Sequence, residues 1–270
     1  PLDASPEIAA IATNECTASE GNFVIDVTLI TAGTPPYSIS VDGGAFQTQN
    51  LPFTISNVSS GTHTIEVNDL NGCGNSIVVE IAPPLGVSPV VTALPSCADD
   101  DGEITVTATG GTGNYAYTIA PNPPSIVLTT NIFSGVPSGT YTVTVTDTVT
   151  MCTEDVQVTL EDATPVIFTT EVTNVSCNGD SDGTITVILP PSNDNPIYTY
   201  EIIAPIVVPA QTENVFTGLP MGTYTVQVTS GRDCVLIQDV TITEPPLLEV
   251  SAVATTFSCD ADNTVSMVTI

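Results

Sequence analysis

Apolar and polar side chains alternate with a period of two residues in several short segments of this chain, and the spacing in these segments is not helical. The clearest example is residues 139–147, Gly-Thr-Tyr-Thr-Val-Thr-Val-Thr-Asp. Successive side chains of a strand point to opposite faces, so one face here is predicted to be buried and the other solvated. The same phase recurs twice, which predicts these inward sets: His63, Tyr141 and Tyr224; Ile65, Val143 and Val226; Val67, Val145 and Val228.

Further strand-like segments lie upstream and downstream of each of these three, separated by glycine- or proline-containing turns. In the first third of the chain they cover residues 7–13, 23–30, 37–41, 46–56 and 76–81, and the fourth of these reads as one or two strands. Six or seven short strands in about 80 residues are typical of an immunoglobulin-like sandwich. The predicted fold class is therefore all-β.

The seven cysteines show that this unit repeats. Cys16, Cys97, Cys177 and Cys259 are spaced by 81, 80 and 82 residues, and Cys73, Cys152 and Cys234 by 79 and 82. A Pro-apolar pair recurs with nearly the same period. We therefore predict tandem immunoglobulin-like β-sandwich repeats that form an elongated rod. The predicted repeats are residues 1–84, 85–164 and 165–246, with the start of an incomplete fourth at 247–270.

A local motif supports the sandwich. Residues 136–141 and 219–224 have the form apolar-x-x-Gly-x-Tyr that is typical of a tyrosine corner, in which a tyrosine hydroxyl bonds the backbone just upstream. In the first repeat His63, the only histidine, occupies the tyrosine position. A structural role is therefore predicted for His63.

These motifs together resemble the SprB-type repeat found in tandem in surface adhesins of gliding Bacteroidota. The shared pattern is a cysteine with a Gly-containing acidic turn (177–185), a Gly-Gly-Thr turn with a Tyr-x-Tyr strand (111–117), the Leu-x-x-Gly-Thr-Tyr-Thr-Val motif and a final cysteine. Ser230, in place of an aspartate, and Pro190-Pro191 depart from it. The resemblance implies export by the type IX secretion route and service as a long stalk in surface adhesion or gliding motility.

The charge of the chain excludes several partners. The chain contains thirty acidic residues and one basic residue, Arg232, which gives a formal net charge of −29. Nucleic-acid binding is excluded because nothing would neutralise phosphates, and no apolar run is long enough for membrane insertion. The predicted partners are neighbouring repeats and other filament chains, and the surface ligand is unknown. Regularly spaced cysteines indicate an oxidising, extracellular location at the cell surface.

The number of strands between two cysteines determines which of them can meet. Four strands return the chain to the same end of a sandwich, which favours disulfides within repeats: Cys16 with Cys73, Cys97 with Cys152, and Cys177 with Cys234, while Cys259 pairs outside this segment. Residues 125–134 also read as one strand, in keeping with that count. If residues 46–56 form two strands, however, the first cysteine of one repeat meets the second cysteine of the next, giving Cys16 with Cys152 and Cys97 with Cys234.

Calcium is the one metal for which the sequence offers candidate ligands, and no cofactor is required. Oxygen donors follow the first cysteine of the later repeats: Asp99, Asp100, Asp101 and Glu103; Asp180 and Asp182; Asp260 and Asp262. The twelve-residue EF-hand spacing is absent, and an acidic solvated turn is the competing interpretation. Zinc is not expected, since there is no Cys-x-x-Cys pair.

Three short motifs match glycosylation acceptor patterns, at Asn57, Asn174 and Thr148. Catalysis is not expected, because a single histidine on a core strand cannot supply a Ser-His-Asp arrangement in each repeat. The sequence thus predicts a structural stalk segment of a secreted adhesin. A glycan- or protein-binding adhesin module and a strand-complemented polymerising filament subunit are the alternatives.

Overall fold

The computed structural model describes residues 5–191, 196–254 and 268–269, and within these ranges the chain forms strands and no helix. All strand pairs are antiparallel, which the short glycine- and proline-containing connections of the sequence allow. The all-β class and the immunoglobulin-like sandwich predicted from the sequence are confirmed.

Repeat 1 contains seven strands in two sheets. They are β1 (Glu7–Ala12), β2 (Phe23–Thr31), β3 (Tyr37–Val41), β4 (Gln47–Gln49), β5 (Phe53–Val58), β6 (Gly61–Asn68) and β7 (Gly74–Ile81). The sheet orders are β1-β2-β5 and β4-β3-β6-β7. This division into three and four strands is that of a sandwich with connections crossing between sheets.

Repeat 2 has the same strands but divides them differently. They are β8 (Gly86–Ala93), β9 (Gly102–Thr109), β10 (Tyr115–Ala120), β11 (Val127–Thr129), β12 (Ile132–Val136), β13 (Gly139–Asp147) and β14 (Thr153–Leu160). The sheet orders are β11-β12-β9-β8 and β10-β13-β14. The short fourth strand of this repeat has therefore joined the opposite sheet from β4.

Repeat 3 returns to the arrangement of repeat 1. Its strands are β15 (Thr169–Thr173), β16 (Gly183–Ile188), β17 (Thr199–Ala204), β18 (Val208–Gln211), β19 (Val215–Leu219), β20 (Gly222–Thr229) and β21 (Val235–Ile242). The sheets run β15-β16-β19 and β18-β17-β20-β21. Beyond repeat 3, β22 (Val253–Ala254) pairs with β23 (Val268–Thr269).

Each repeat has its own hydrophobic core between its two sheets. The nine inward positions predicted from the alternation on β6, β13 and β20 are all buried, with exposed fractions from 0% to 8%. Full burial of a valine or isoleucine side chain contributes about 1.5–3 kcal/mol to the free energy of folding. Each of these three strands is therefore central to the core of its own repeat.

The described residues group into two compact units. One is drawn from Pro1–Pro95 and Asp99–Asp162, and the other from Ser96–Ala98 and Ala163–Ile270. The short segment around Cys97, which the sequence assigns to repeat 2, thus belongs to the unit that contains repeat 3. The reason lies in the disulfide that this segment forms.

Candidate functional site: the disulfide ladder and its supporting loops

Two disulfides join consecutive repeats, and we call them the disulfide ladder. Cys16 is bonded to Cys152 and Cys97 to Cys234, each pair with a Cα–Cα distance of 4.9 Å. This distance lies within the normal range for disulfides. Both bonds obey one rule, in which the first cysteine of a repeat pairs with the second cysteine of the next repeat.

The pairing within repeats that the sequence favoured is wrong. Cys73, which is half-buried, and Cys177, which is exposed, are free thiols. Five strands, β2 to β6, separate Cys16 from Cys73, because residues 46–56 break into β4 and β5. An odd number of strands takes the chain to the opposite end of the sandwich, so the two cysteines of one repeat cannot meet.

The same error affected repeat 2. Residues 125–134 were expected to form one strand, yet they contain β11 and the start of β12. Thr130 turns the chain between these two strands with a φ of 58°. Cys259 lies outside the described residues.

A buried aspartate organises the loop that carries Cys152. Asp147 has no exposed surface and ends β13 in the inward phase of that strand. Its carboxylate accepts hydrogen bonds from the backbone N–H of Thr112, Val149 (2.9 Å) and Thr150 (3.0 Å) and from the Thr112 hydroxyl (2.9 Å). Burial acts to raise the pKa of Asp147, but these hydrogen bonds outweigh it and lower the pKa to about 2.

A glycine makes this arrangement possible. Gly111, next to Thr112, has a φ of +55°, and a Cβ at this position would overlap the Oδ2 atom of Asp147. A larger residue would push the Thr112 N–H away from the carboxylate. The Gly-Gly-Thr turn therefore serves the Asp147 loop, in addition to connecting two strands.

Equivalent residues do the same in the other repeats. Asp69 accepts hydrogen bonds from the backbone N–H of Thr34 (3.0 Å), Asn71 (2.9 Å) and Cys73 (2.8 Å), and the bond from Thr34 is the main reason that its pKa is lowered. In repeat 3 the Ser230 hydroxyl oxygen accepts from the N–H of Cys234 at 3.2 Å. In each repeat this residue therefore fixes the backbone around the second cysteine.

The role of this position was not predicted from the sequence, where Ser230 stood out only as a serine in place of an aspartate. The signal was present, because Asp69, Asp147 and Ser230 all continue the buried phase of their strand by one more step of two residues. A polar residue in that phase must find hydrogen-bond partners inside the protein.

The predicted tyrosine corner is confirmed in repeats 2 and 3. The Tyr141 hydroxyl donates to the carbonyl oxygen of Pro137 at 3.0 Å, and the Tyr224 hydroxyl donates to that of Pro220 at 2.8 Å. In repeat 1, His63 Nε2 lies 2.9 Å from the carbonyl oxygen of Ser59, four residues upstream as in the other two repeats. Histidine therefore reproduces the corner.

His63 also has a second acceptor, since its Nδ1 atom lies 2.7 Å from Asp42 Oδ2. Because both ring nitrogens face oxygen acceptors, the protonated imidazolium satisfies both contacts. Burial acts to lower the pKa of His63, but the hydrogen bonds to Asp42 and Ser59 raise it overall. The pKa of Asp42 is lowered, chiefly by its hydrogen bond with His63.

We expect repeat 1 to lose about 1 kcal/mol of stability as the pH rises through the pKa of His63, the net value of one hydrogen bond. Since the folded-state pKa is raised, the stabilisation is complete below the unfolded pKa of about 6.5 and is lost as the pH rises through the folded value. Thermal unfolding between about pH 5 and pH 9 measures this. His63→Tyr, which installs the residue of the other repeats, should remove the dependence, and an unchanged dependence in that variant would assign it to another group.

The acidic turns are not gathered into a metal site in the part of the chain that is described, where no three His, Cys, Asp or Glu side chains form a group that could hold a metal ion. Asp182 instead accepts a hydrogen bond from the Ser176 N–H at 2.9 Å, and Glu103 accepts one from the Thr92 hydroxyl at 2.7 Å. Asp99, Asp100, Asp101 and Asp180 are exposed. Asp260 and Asp262 lie outside the described residues.

The three glycosylation candidates are all exposed, and two of them make hydrogen bonds. The Asn174 side-chain oxygen accepts from the Thr243 N–H at 2.9 Å, and the Thr148 hydroxyl donates to the carbonyl oxygen of Asn114 at 3.2 Å. Asn57 has a left-handed backbone with a φ of 59°. Modification at these residues remains a prediction.

The model of one protein family matches this chain in two regions. The model of the SprB repeat matches residues 92–123 and 169–205, which confirms the resemblance read from the sequence. No curated protein matches the chain. Among residues 5–191, 196–254 and 268–269, no helix is long and apolar enough to cross a membrane.

Several solved structures are similar over parts of the chain. A C-terminal 282-residue fragment of intimin, in complex with the intimin-binding domain of its translocated receptor, aligns with 59% of this chain and 65% of its own, at 15% identity and a TM-score of 0.43. The eight N-terminal immunoglobulin domains of Down syndrome cell adhesion molecule align with 90% of this chain and 37% of their own, at 14% identity and a TM-score of 0.41. The chain thus spans less than two thirds of both structures.

The SprB repeats and the disulfides together indicate an adhesin-like repeat protein of the extracellular surface. Repeats of this kind are generally not enzymes. In the described residues the histidine and the two buried aspartates serve as structural hydrogen-bonding groups.

Proposed function

From the two regions that match the SprB repeat, we propose that this chain is a structural stalk segment of a secreted cell-surface adhesin. The observation that carries the proposal is the disulfide ladder, because it joins consecutive repeats by a second covalent link beside the main chain. A stalk must transmit force from a distal tip to the cell, and a second link between neighbours serves that purpose directly. A ligand-binding module has no need of it.

Further support comes from how the polar side chains are used. Asp69, Asp147 and Ser230 hold the loops of the second cysteines, and His63 holds a corner. They lie at two positions that are buried in every repeat, one held by Asp69, Asp147 or Ser230 and the other by His63 or a tyrosine. A binding site would instead place a distinctive group on the surface of one repeat.

The partners that this proposal implies are neighbouring repeats of the same kind. The pairing rule assigns to Cys73 the first cysteine of a preceding repeat, and to Cys177 the second cysteine of a following one. Other filament chains are weaker candidates, because a formal charge of −29 on each copy opposes close side-by-side association. The SprB resemblance further supports export by the type IX route and a part in gliding.

An exchange experiment in the producing bacterium tests the stalk. Residues 1–246 are replaced by three unrelated β-sandwich domains of similar size, and adhesion and gliding are measured alongside surface display. A stalk predicts that both activities survive the exchange and weaken when the segment is deleted without replacement. Loss of adhesion on exchange, with display intact, would instead assign ligand binding to these repeats.

The secretion route is tested separately. Cells lacking the type IX apparatus are expected to retain the protein inside, while cells with a restored apparatus display it. Protease added to intact cells, followed by detection of the repeats, distinguishes the two locations. Normal display without the apparatus would refute this part of the proposal and leave the stalk role unaffected.

A further inference from the structure

The two disulfides close loops that overlap. They span 136 and 137 residues of sequence, and residues 97–152 lie inside both loops. Bonds between the two cysteines of each repeat would close three separate loops instead. Overlap changes which parts of the chain carry load when the molecule is stretched.

We propose that the disulfide ladder limits extension by sending tension backwards through repeat 2. The shortest covalent route from one end of the chain to the other runs forward to Cys16, across to Cys152, back along the chain to Cys97, across to Cys234 and onward. This route contains about 110 of the 270 residues. Each residue spans about 3.4 Å when the chain is fully extended. The remaining 160 or so residues, 17–96 and 153–233, are bypassed.

The strands that the tension bypasses therefore differ from one repeat to the next. In repeat 1 the bypass covers β2 to β7, and in repeat 3 it covers β15 to β20. In repeat 2 the outer strands β8 and β14 are bypassed, while β9 to β13 are pulled from Cys152 towards Cys97. Unfolding of any one sandwich under load then releases only part of its length.

One side of each bond is shielded from solvent in the folded repeats. One cysteine of each bond is buried, with exposed fractions of 7% at Cys152 and 2% at Cys234. The loops of these two cysteines are held by Asp147 and Ser230, respectively. A solvent thiol therefore has restricted access to that side of each bond while the repeat is folded.

The ladder also preserves the chain after cleavage. Any single cut between Cys16 and Cys234 leaves both fragments joined by at least one disulfide. This connectivity does not depend on the stalk proposal, so the two can fail independently.

Stretching single molecules of the full chain, held at its two ends under non-reducing conditions, tests the inference. At forces that unfold every repeat, reduction should lengthen the chain by about 160 residues, or roughly 550 Å. Cys152→Ala alone and Cys234→Ala alone should each add only about 25 residues, roughly 90 Å, because the remaining bond still closes its long loop. The double variant should add the full 160 or so.

This non-additivity is the signature of overlapping loops. Cys73→Ala and Cys177→Ala are the matched controls, because both residues are free thiols, and neither should change the length. Bonds within repeats would give a different result, in which Cys73→Ala, Cys152→Ala and Cys234→Ala each add about 55 residues, roughly 190 Å. That result, or a non-reduced chain that stretches as far as the reduced one, would overturn the inference.

Discussion

Removing the Cys16–Cys152 bond is expected to lower the free energy of unfolding of the unit that contains repeats 1 and 2 by about 3–5 kcal/mol. The bond closes a loop of 136 residues, and in the chain-entropy model so long a loop greatly restricts the unfolded chain. Cys16→Ser with Cys152→Ala is the variant of choice, because Cys152 is buried and alanine adds no unsatisfied hydroxyl there. Urea unfolding of the non-reduced proteins measures the loss.

The chain supplies its own controls for this experiment. Cys73→Ala occupies the same position in its repeat as Cys152→Ala but breaks no bond, so it should cost much less. Cys97→Ser with Cys234→Ala removes the bond whose two cysteines lie in the other compact unit, and it should chiefly destabilise that unit. A large loss from Cys73→Ala, which breaks no bond of the disulfide ladder, would show that the cysteines pair within repeats in solution.

The repeats and their cores could be predicted from the sequence because both depend on local patterns. Alternation over residues 139–147 sets which side chains face inward, and the same phase recurs in all three repeats. Only one register of the strand buries this apolar face, since a shift by one residue would expose all of it. The tyrosine corner was equally local, with donor and acceptor only four residues apart.

The cysteine pairing could not be predicted securely because it depends on a strand of three residues. β4 is too short to show alternation, and the turn after it, at Leu51-Pro52, was the only sign of a break. One extra strand moves the next cysteine to the opposite end of the sandwich. The sheet that the short strand joins also differs between repeats, since β4 pairs with β3 and β11 pairs with β12.

Asp147→Ala is expected to destabilise the same unit by about 2–4 kcal/mol, because it removes the acceptor of four part-buried hydrogen bonds. The N–H groups of Val149 and Thr150 and both donors of Thr112 lose their partner. The loop carrying Cys152 would then open, and the Cys16–Cys152 bond should become easier to reduce. Urea unfolding and the rate of reduction by a small thiol measure the two effects.

Asp147→Ser is the informative control, because serine performs this role at position 230 in repeat 3 and should recover part of the loss. The dependence of unfolding free energy on pH in the acid range distinguishes both variants from the wild-type chain. Since the pKa of Asp147 is lowered to about 2 in the folded protein, its contribution is fully present above about pH 4 and is lost as the pH falls through 2. Both variants should therefore lose less stability than wild type between about pH 4 and pH 2, and an equal loss would mean that the Asp147 carboxylate does not hold this loop.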